Sequence, residues 1–119
     1  MSKETEFINR VDFEKLRTAE GMQVVSAIVV DQLGRVMMNG FMNAAALEKT
    51  LDTGLVTFWS RTRSGLWTKG ETSGNTMQTL DITLDCDEDS LLVRSEPSGP
   101  VCHRDTETCF DGTFSIELE

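Results

Sequence analysis

The stretch TLDITLDCDEDSLLVRSE, residues 79–96, reads as two strands around an acidic turn. Leu80, Ile82 and Leu84 alternate with Thr79, Asp81, Thr83 and Asp85, and a period of two marks a strand buried on one face. LLVRSE has the composition of an antiparallel partner, so DEDS falls where the chain reverses. The alternation assigns Asp85 to the polar face and Cys86 to the opposite one. A thiol among four carboxylates mixes soft and hard donors, which prefer different cations.

On the N-terminal side, MQVVSAIVVD (22–31) reads as a buried strand, and Gly34 turns the chain into a second apolar run, RVMMNGFM (35–42). The two form a hairpin. Met37, Met38 and Met42 are expected to fill gaps in the core rather than to form a soft-metal box. Asn43 is a good N-cap for AAALEKTLDT, where Leu47 and Leu51 share one helix face, and Gly54 suits the position after its end. A weaker amphipathic helix is expected around VDFEKLR (11–17), and a strand at LVTFWS (55–60). The class is α+β: mainly antiparallel strands with one or two short helices, in one domain spanning 1–119.

A chain of 119 residues with 39% apolar content suits a single core. MSKETEFINR has no apolar run like a signal-peptide core and no segment is long enough to span a bilayer, so no membrane role and a cytoplasmic location are expected. The formal charge of −9 argues against a nucleic-acid partner, since such affinity rests on neutralising phosphates. That charge is unevenly spread. Residues 1–80 hold nine basic and nine acidic side chains, whereas 81–119 hold two and eleven. A bound divalent cation would relieve the C-terminal repulsion, and a plain solubilising face accounts for the same count.

The three cysteines, Cys86, Cys102 and Cys109, are spaced C-x15-C-x6-C, unlike the knuckles of common structural zinc folds. Three thiolates suit tetrahedral zinc with one position open for water; three unliganded thiols are the plain alternative. Zinc deaminases use such centres with a separate group moving protons. The single histidine, His103, follows Cys102 and is a candidate proton shuttle, histidine being the side chain most often used to move protons, although a lone histidine is also commonly structural. Asp85, Asp87 and Asp89 recur every second residue, ~6.6 Å apart on an extended backbone, and a turn can converge them for Mg²⁺. The EF-hand pattern fails here, because Ser90 replaces the required glycine and the flanks are patterned as strands.

Between 55 and 70, LVTFWSRTRSGLWTKG carries Arg61, Arg63 and Lys69 with no acid at all. In an acidic chain this reads as an anion site, with Trp59 or Trp67 able to stack on a base; exposed hairpin charges over core tryptophans explain the same residues. KGETSGN is too far from a Walker loop to be one.

Together, WSRTRSGLWTKGETSGN, LDCDED and GPVCHRDTETCF closely resemble the phosphoribosyl-AMP cyclohydrolases of histidine biosynthesis over roughly residues 21–110. The resemblance implies zinc at Cys86, Cys102 and Cys109 and magnesium at Asp85, Asp87 and Asp89. It also implies an intertwined homodimer whose zinc sites draw cysteines from both subunits, in the monofunctional form. The reaction implied is hydrolytic opening of the N1–C6 bond of N1-phosphoribosyl-AMP by zinc-activated water. His103 or a nearby carboxylate would move protons. Trp59, Ser60, Arg61, Arg63, Lys69, Thr72, Ser73 and Asn75 would bind a nucleotide with two phosphate groups. A non-catalytic, zinc-stapled binding module is the alternative.

Overall fold

A computed structural model describes residues 2–16, 18–19 and 21–118. The elements run α1 (Lys3–Arg10), a 3₁₀ turn (Phe13–Lys15), β1 (Thr18–Ala19), β2 (Met22–Gln23), β3 (Val25–Val30), β4 (Val36–Met42), α2 (Ala44–Thr53), β5 (Thr57–Ser60), β6 (Gly65–Thr68), β7 (Met77–Leu84) and β8 (Ser90–Pro97). The order β4-β3-β8-β7 gives a four-stranded sheet in which only β3 and β8 are parallel. Two further antiparallel pairs, β1–β2 and β5–β6, complete an α+β fold. Among the described residues no helix is long and apolar enough to cross a membrane.

The 79–96 hairpin forms as expected, with one correction. Leu80 is the extra residue of a bulge between Thr79 and Asp81, and it turns to solvent while Ile82 and Leu84 face inward opposite Val93 and Leu91. A bulge shifts a strand's alternation by one residue, so the apolar face runs Met77, Thr79, Ile82, Leu84. A second correction concerns Cys86. β7 ends at Leu84, and residues 85–89 lie in the turn, so strand alternation no longer governs Cys86 and the thiol is exposed.

The inward face of the sheet, with Val25, Ala27, Val29, Met38, Met42, Leu91 and Val93, packs beneath Ala46 and Leu47 of α2 and Phe58 of β5. All three expected core methionines are buried. α2 starts at Asn43, whose side-chain oxygen accepts the Ala46 amide at 2.8 Å, and ends at Gly54. The expected helix at 11–17 is instead bends around the short 3₁₀ turn, Arg17 lying outside the described residues; the N-terminal helix is α1, where Ser2 accepts the Thr5 amide at 3.1 Å. Acidic residues in its first turn and Arg10 in its last suit the helix dipole, a signal the polar N-terminus carried.

Two contacts place the β5–β6 hairpin. Phe58 lies over Gly40, where an added Cβ would meet its ring at 2.6 Å. A buried hydroxyl chain also crosses the layers: the Thr57 amide donates to Thr50 Oγ1 at 3.0 Å, and the Thr57 and Thr68 hydroxyls are 3.0 Å apart. Buried polar groups satisfied in this way fix one arrangement of helix and hairpin.

Candidate functional site

The loop after β8 folds into a tight turn that holds Cys102. Its amide donates to the Thr106 carbonyl at 3.1 Å, and its own carbonyl accepts the Asp105 amide at 2.9 Å. The turn faces the segment after β6, and together they line a cavity of about 230 Å³. Its walls are Arg63, Trp67, Lys69, Gly70, Thr72, Ser73 and Asn75 on one side and residues 100–103 with Asp105 on the other. Gly70 makes the fold-back possible: its φ is +86°, and a Cβ would lie 2.3 Å from the Asn75 carbonyl.

His103 is exposed, with Nδ1 3.9 Å from Cys102 Sγ. The Cys102 and Cys109 thiols are near enough for each to shift the other's ionisation. The Arg104 amide, followed by the Thr106 hydroxyl, lowers the Cys102 thiol to about 7, which favours the thiolate that metal ligation requires. Burial, and then the charge of Cys102, pushes the Cys109 thiol up, while Lys69 and Arg104 oppose that rise. The Cys109 amide donates to the Met37 carbonyl at 2.8 Å, and Arg104 pairs with Asp111 at 2.6 Å, so both ends of the loop are fastened.

A second braced region lies at the β7–β8 turn. Asp85 Oδ1 accepts the Asp89 and Ser90 amides at 2.9 and 3.0 Å. Asp85, Asp87 and Asp89 each offer a carboxylate oxygen within 4.8 Å of the others, the one such group of three found among the described residues. The Asp89 amide, more than any other group, holds Asp85 below the usual carboxylate range. Burial and then the Asp85 charge push Asp89 up. Such divergence is what neighbouring carboxylates impose on one another. The N-terminal segment clamps this turn: Arg10 pairs with Glu88 at 3.1 Å, the Asp12 amide donates to the Glu88 carbonyl at 3.0 Å, and the Lys15 ammonium donates to the Asp87 carbonyl.

The chain thus gathers Arg63, Lys69, Thr72, Ser73, Asn75, Cys102 and His103 around one cavity, with Cys109 beside Cys102. Cys86 stands apart with Asp85, Asp87 and Asp89. Trp59, Ser60 and Arg61 do not line the cavity; Ser60 Oγ instead accepts the Arg63 amide at 3.3 Å and shapes the hairpin turn. The Trp59 indole nitrogen is buried with no partner among the described residues. Sequence reasoning weighed Trp67 only as a base-stacking alternative to Trp59, and left Pro100 and Val101 out of the site. Their signal was position alone, beside Cys102.

A family model described as Phosphoribosyl-AMP cyclohydrolase matches residues 38–111. A histidine biosynthesis bifunctional protein HisIE of Vibrio parahaemolyticus is 56% identical over 111 residues, covering 92% of this chain and 50% of the relative. The protein of the same name from Vibrio cholerae is 53% identical over 112 residues, covering 93% and 51%. That of Bacteroides thetaiotaomicron is 48% identical over 101 residues, covering 84% and 47%. The chain therefore spans about half the length of the curated relatives it matches.

Proposed function

The chain belongs to the phosphoribosyl-AMP cyclohydrolase family, and from that premise we propose that it opens the purine ring of N1-phosphoribosyl-AMP by hydrolysis in histidine biosynthesis. The observation that carries the proposal is the cavity: cations and small hydroxyls meet a thiol and an imidazole in one place within an acidic chain. Arg63 and Lys69 hold the substrate's phosphates, with Thr72, Ser73 and Asn75 as hydrogen-bonding partners. Water oxygen ends on C6, the C6–N1 bond breaks, and N1 takes a proton. His103 moves that proton, since its exposed ring borders the cavity and reaches the Cys102 sulfur.

Adjacent sulfur donors at Cys102 and Cys109 fit zinc, and the converged carboxylates of Asp85, Asp87 and Asp89 fit magnesium. Bound zinc would supply a Lewis acid that lowers the pKa of water. Cys86 completes the sulfur set from a second copy, because in its own chain it lies apart from the other two thiols. The sheet supports such an assembly: Ile28 and Leu92 stand opposite each other in register on its outward face, 39% and 46% exposed. A cytoplasmic location follows from the substrate class. A purely zinc-stapled module would leave the basic cavity without a use.

Purified protein incubated with N1-phosphoribosyl-AMP should show the ultraviolet change of ring opening, and Cys102→Ser should lack it. Equal rates in the two proteins would reject the assignment of Cys102 to the reaction centre.

A further inference from the structure

We propose that Trp67 is a positioning residue that holds Arg63 and Lys69 toward the cavity without neutralising them, rather than a platform for the base. The inference rests on the reading above that this cavity takes the substrate's phosphates.

Arg63 Cζ lies 5.3 Å and Lys69 Nζ 5.2 Å from the Trp67 ring centroid. Both distances fall within the ~6 Å over which a cation is drawn to an aromatic face. Trp67 is itself supported. Its ring centroid is 6.1 Å from that of Phe58, the side chain packed over Gly40, so the platform is referenced to the core sheet. The β5–β6 register pairs the same two residues, Phe58 with Trp67.

The chemistry explains why a ring is used. A carboxylate would orient a lysine equally well, but it would also cancel the charge and compete with an incoming anion. The ring quadrupole attracts a cation and leaves its positive charge available. Lys69 makes no ion pair among the described residues, and Trp67 is the partner that orients it. Among the described residues Arg63 is paired on one nitrogen, Nη1 to Glu71 at 3.2 Å, and Glu71 in turn accepts the Thr68 amide at 3.3 Å. The remaining guanidinium N–H groups stay free for a ligand. Thr72, Ser73 and Asn75 border the same space, supplying neutral donors beside the two cations. A base stacking on this ring would have to share it with the two cations.

The test separates a phosphate role from a base role. Inorganic phosphate, which has no base, is titrated calorimetrically into wild type, Trp67→Leu and Trp67→Phe, and adenosine, which has no phosphate, is titrated in parallel. Phosphate affinity should fall about tenfold in Trp67→Leu and about threefold in Trp67→Phe, as expected for loss or weakening of the ring's pull on two cations. Adenosine binding should move less than phosphate binding. With N1-phosphoribosyl-AMP, KM should rise more than kcat falls, and Trp67→Phe should recover most of the difference. Unchanged phosphate affinity in Trp67→Leu, or a loss confined to adenosine, overturns the inference, as does a wild type that binds no phosphate. If Trp67→Leu fails to fold, unchanged phosphate affinity in Trp67→Phe is the overturning result. A wild type that binds phosphate but does not turn over N1-phosphoribosyl-AMP sinks the proposed reaction and leaves the role of Trp67 to the titration.

Discussion

The cavity around Trp67 and the turn at Asp85–Asp89 carry opposite charges and are held by different kinds of contact. Buried packing fixes the first: Phe58 over Gly40, the threonine hydroxyls between α2 and the β5–β6 hairpin, and the fastened loop of Cys102. Exposed pairs from the N-terminal segment hold the second. Buried contacts resist displacement because their loss opens a void or strands a polar group, whereas exposed pairs compete with water and salt. The phosphate end of the proposed site is therefore preformed, and the carboxylate end is left adaptable to a cation. Each region also lacks something that the other has, since two thiols lie by the cavity and the third lies by the turn.

Four changes would break or sharpen that contrast. The largest effect is expected from Cys102→Ser, which should lower zinc affinity by more than the ~10–100-fold typical of losing a residue that merely supports a ligand. Metal analysis after dialysis against a chelator would check it, and full zinc retention would remove Cys102 from the centre. Next comes Gly40→Ala, which forces a methyl group into the Phe58 ring and should cost about 1–3 kcal/mol in urea unfolding. An unaltered midpoint would mean that the hairpin is not anchored there.

A smaller effect concerns Asp31, which accepts the Leu33 and Arg35 amides and pairs with Arg35, itself 3.4 Å from Glu107 in the Cys102 loop. Burial pushes Asp31 up, but the Arg35 amide and guanidinium outweigh it and leave the carboxyl below its ordinary 3.8. A depressed carboxyl stabilises the fold above its unfolded pKa and ceases to do so as pH falls through the folded one. Wild type should thus exceed Asp31→Asn in stability by a constant margin near neutrality, a margin that begins to narrow as pH falls toward 3.8 and keeps narrowing below it. Thermal melts across acid pH would measure it; a margin that widened in acid would reverse the assignment. The smallest effect is predicted for Arg10→Ala on the turn side. Its exposed pair with Glu88 should be worth less than ~1 kcal/mol and should fade in high salt.

Local signals carried much of the fold into the sequence. The Asn43 cap, the methionine-rich strand and the alternation of β7 each follow from the few residues around them. The Leu80 bulge was not legible, because alternating leucines look the same whether or not one residue slips out of register. The parallel pairing of β3 with β8 is likewise a long-range choice. In the site, charge and spacing singled out Arg63, Lys69 and the cysteines. Trp67 was ambiguous between core and base, and its contact with two cations was not foreseen, since only a fold can say what lies against an indole ring. The separation of Cys86 from Cys102 and Cys109 was beyond spacing too, which records how far apart residues lie along the chain and not in space.

The central claim is that these two regions complete one another between copies. Cys86→Ser and Cys102→Ser chains carrying different tags can be co-expressed and the doubly tagged species purified. In a two-fold dimer with shared sites one centre of such a hybrid is intact, so it should hold about half the zinc and half the turnover of wild type, while each parent variant has neither. A doubly tagged dimer as empty and inactive as its parents would contradict that claim.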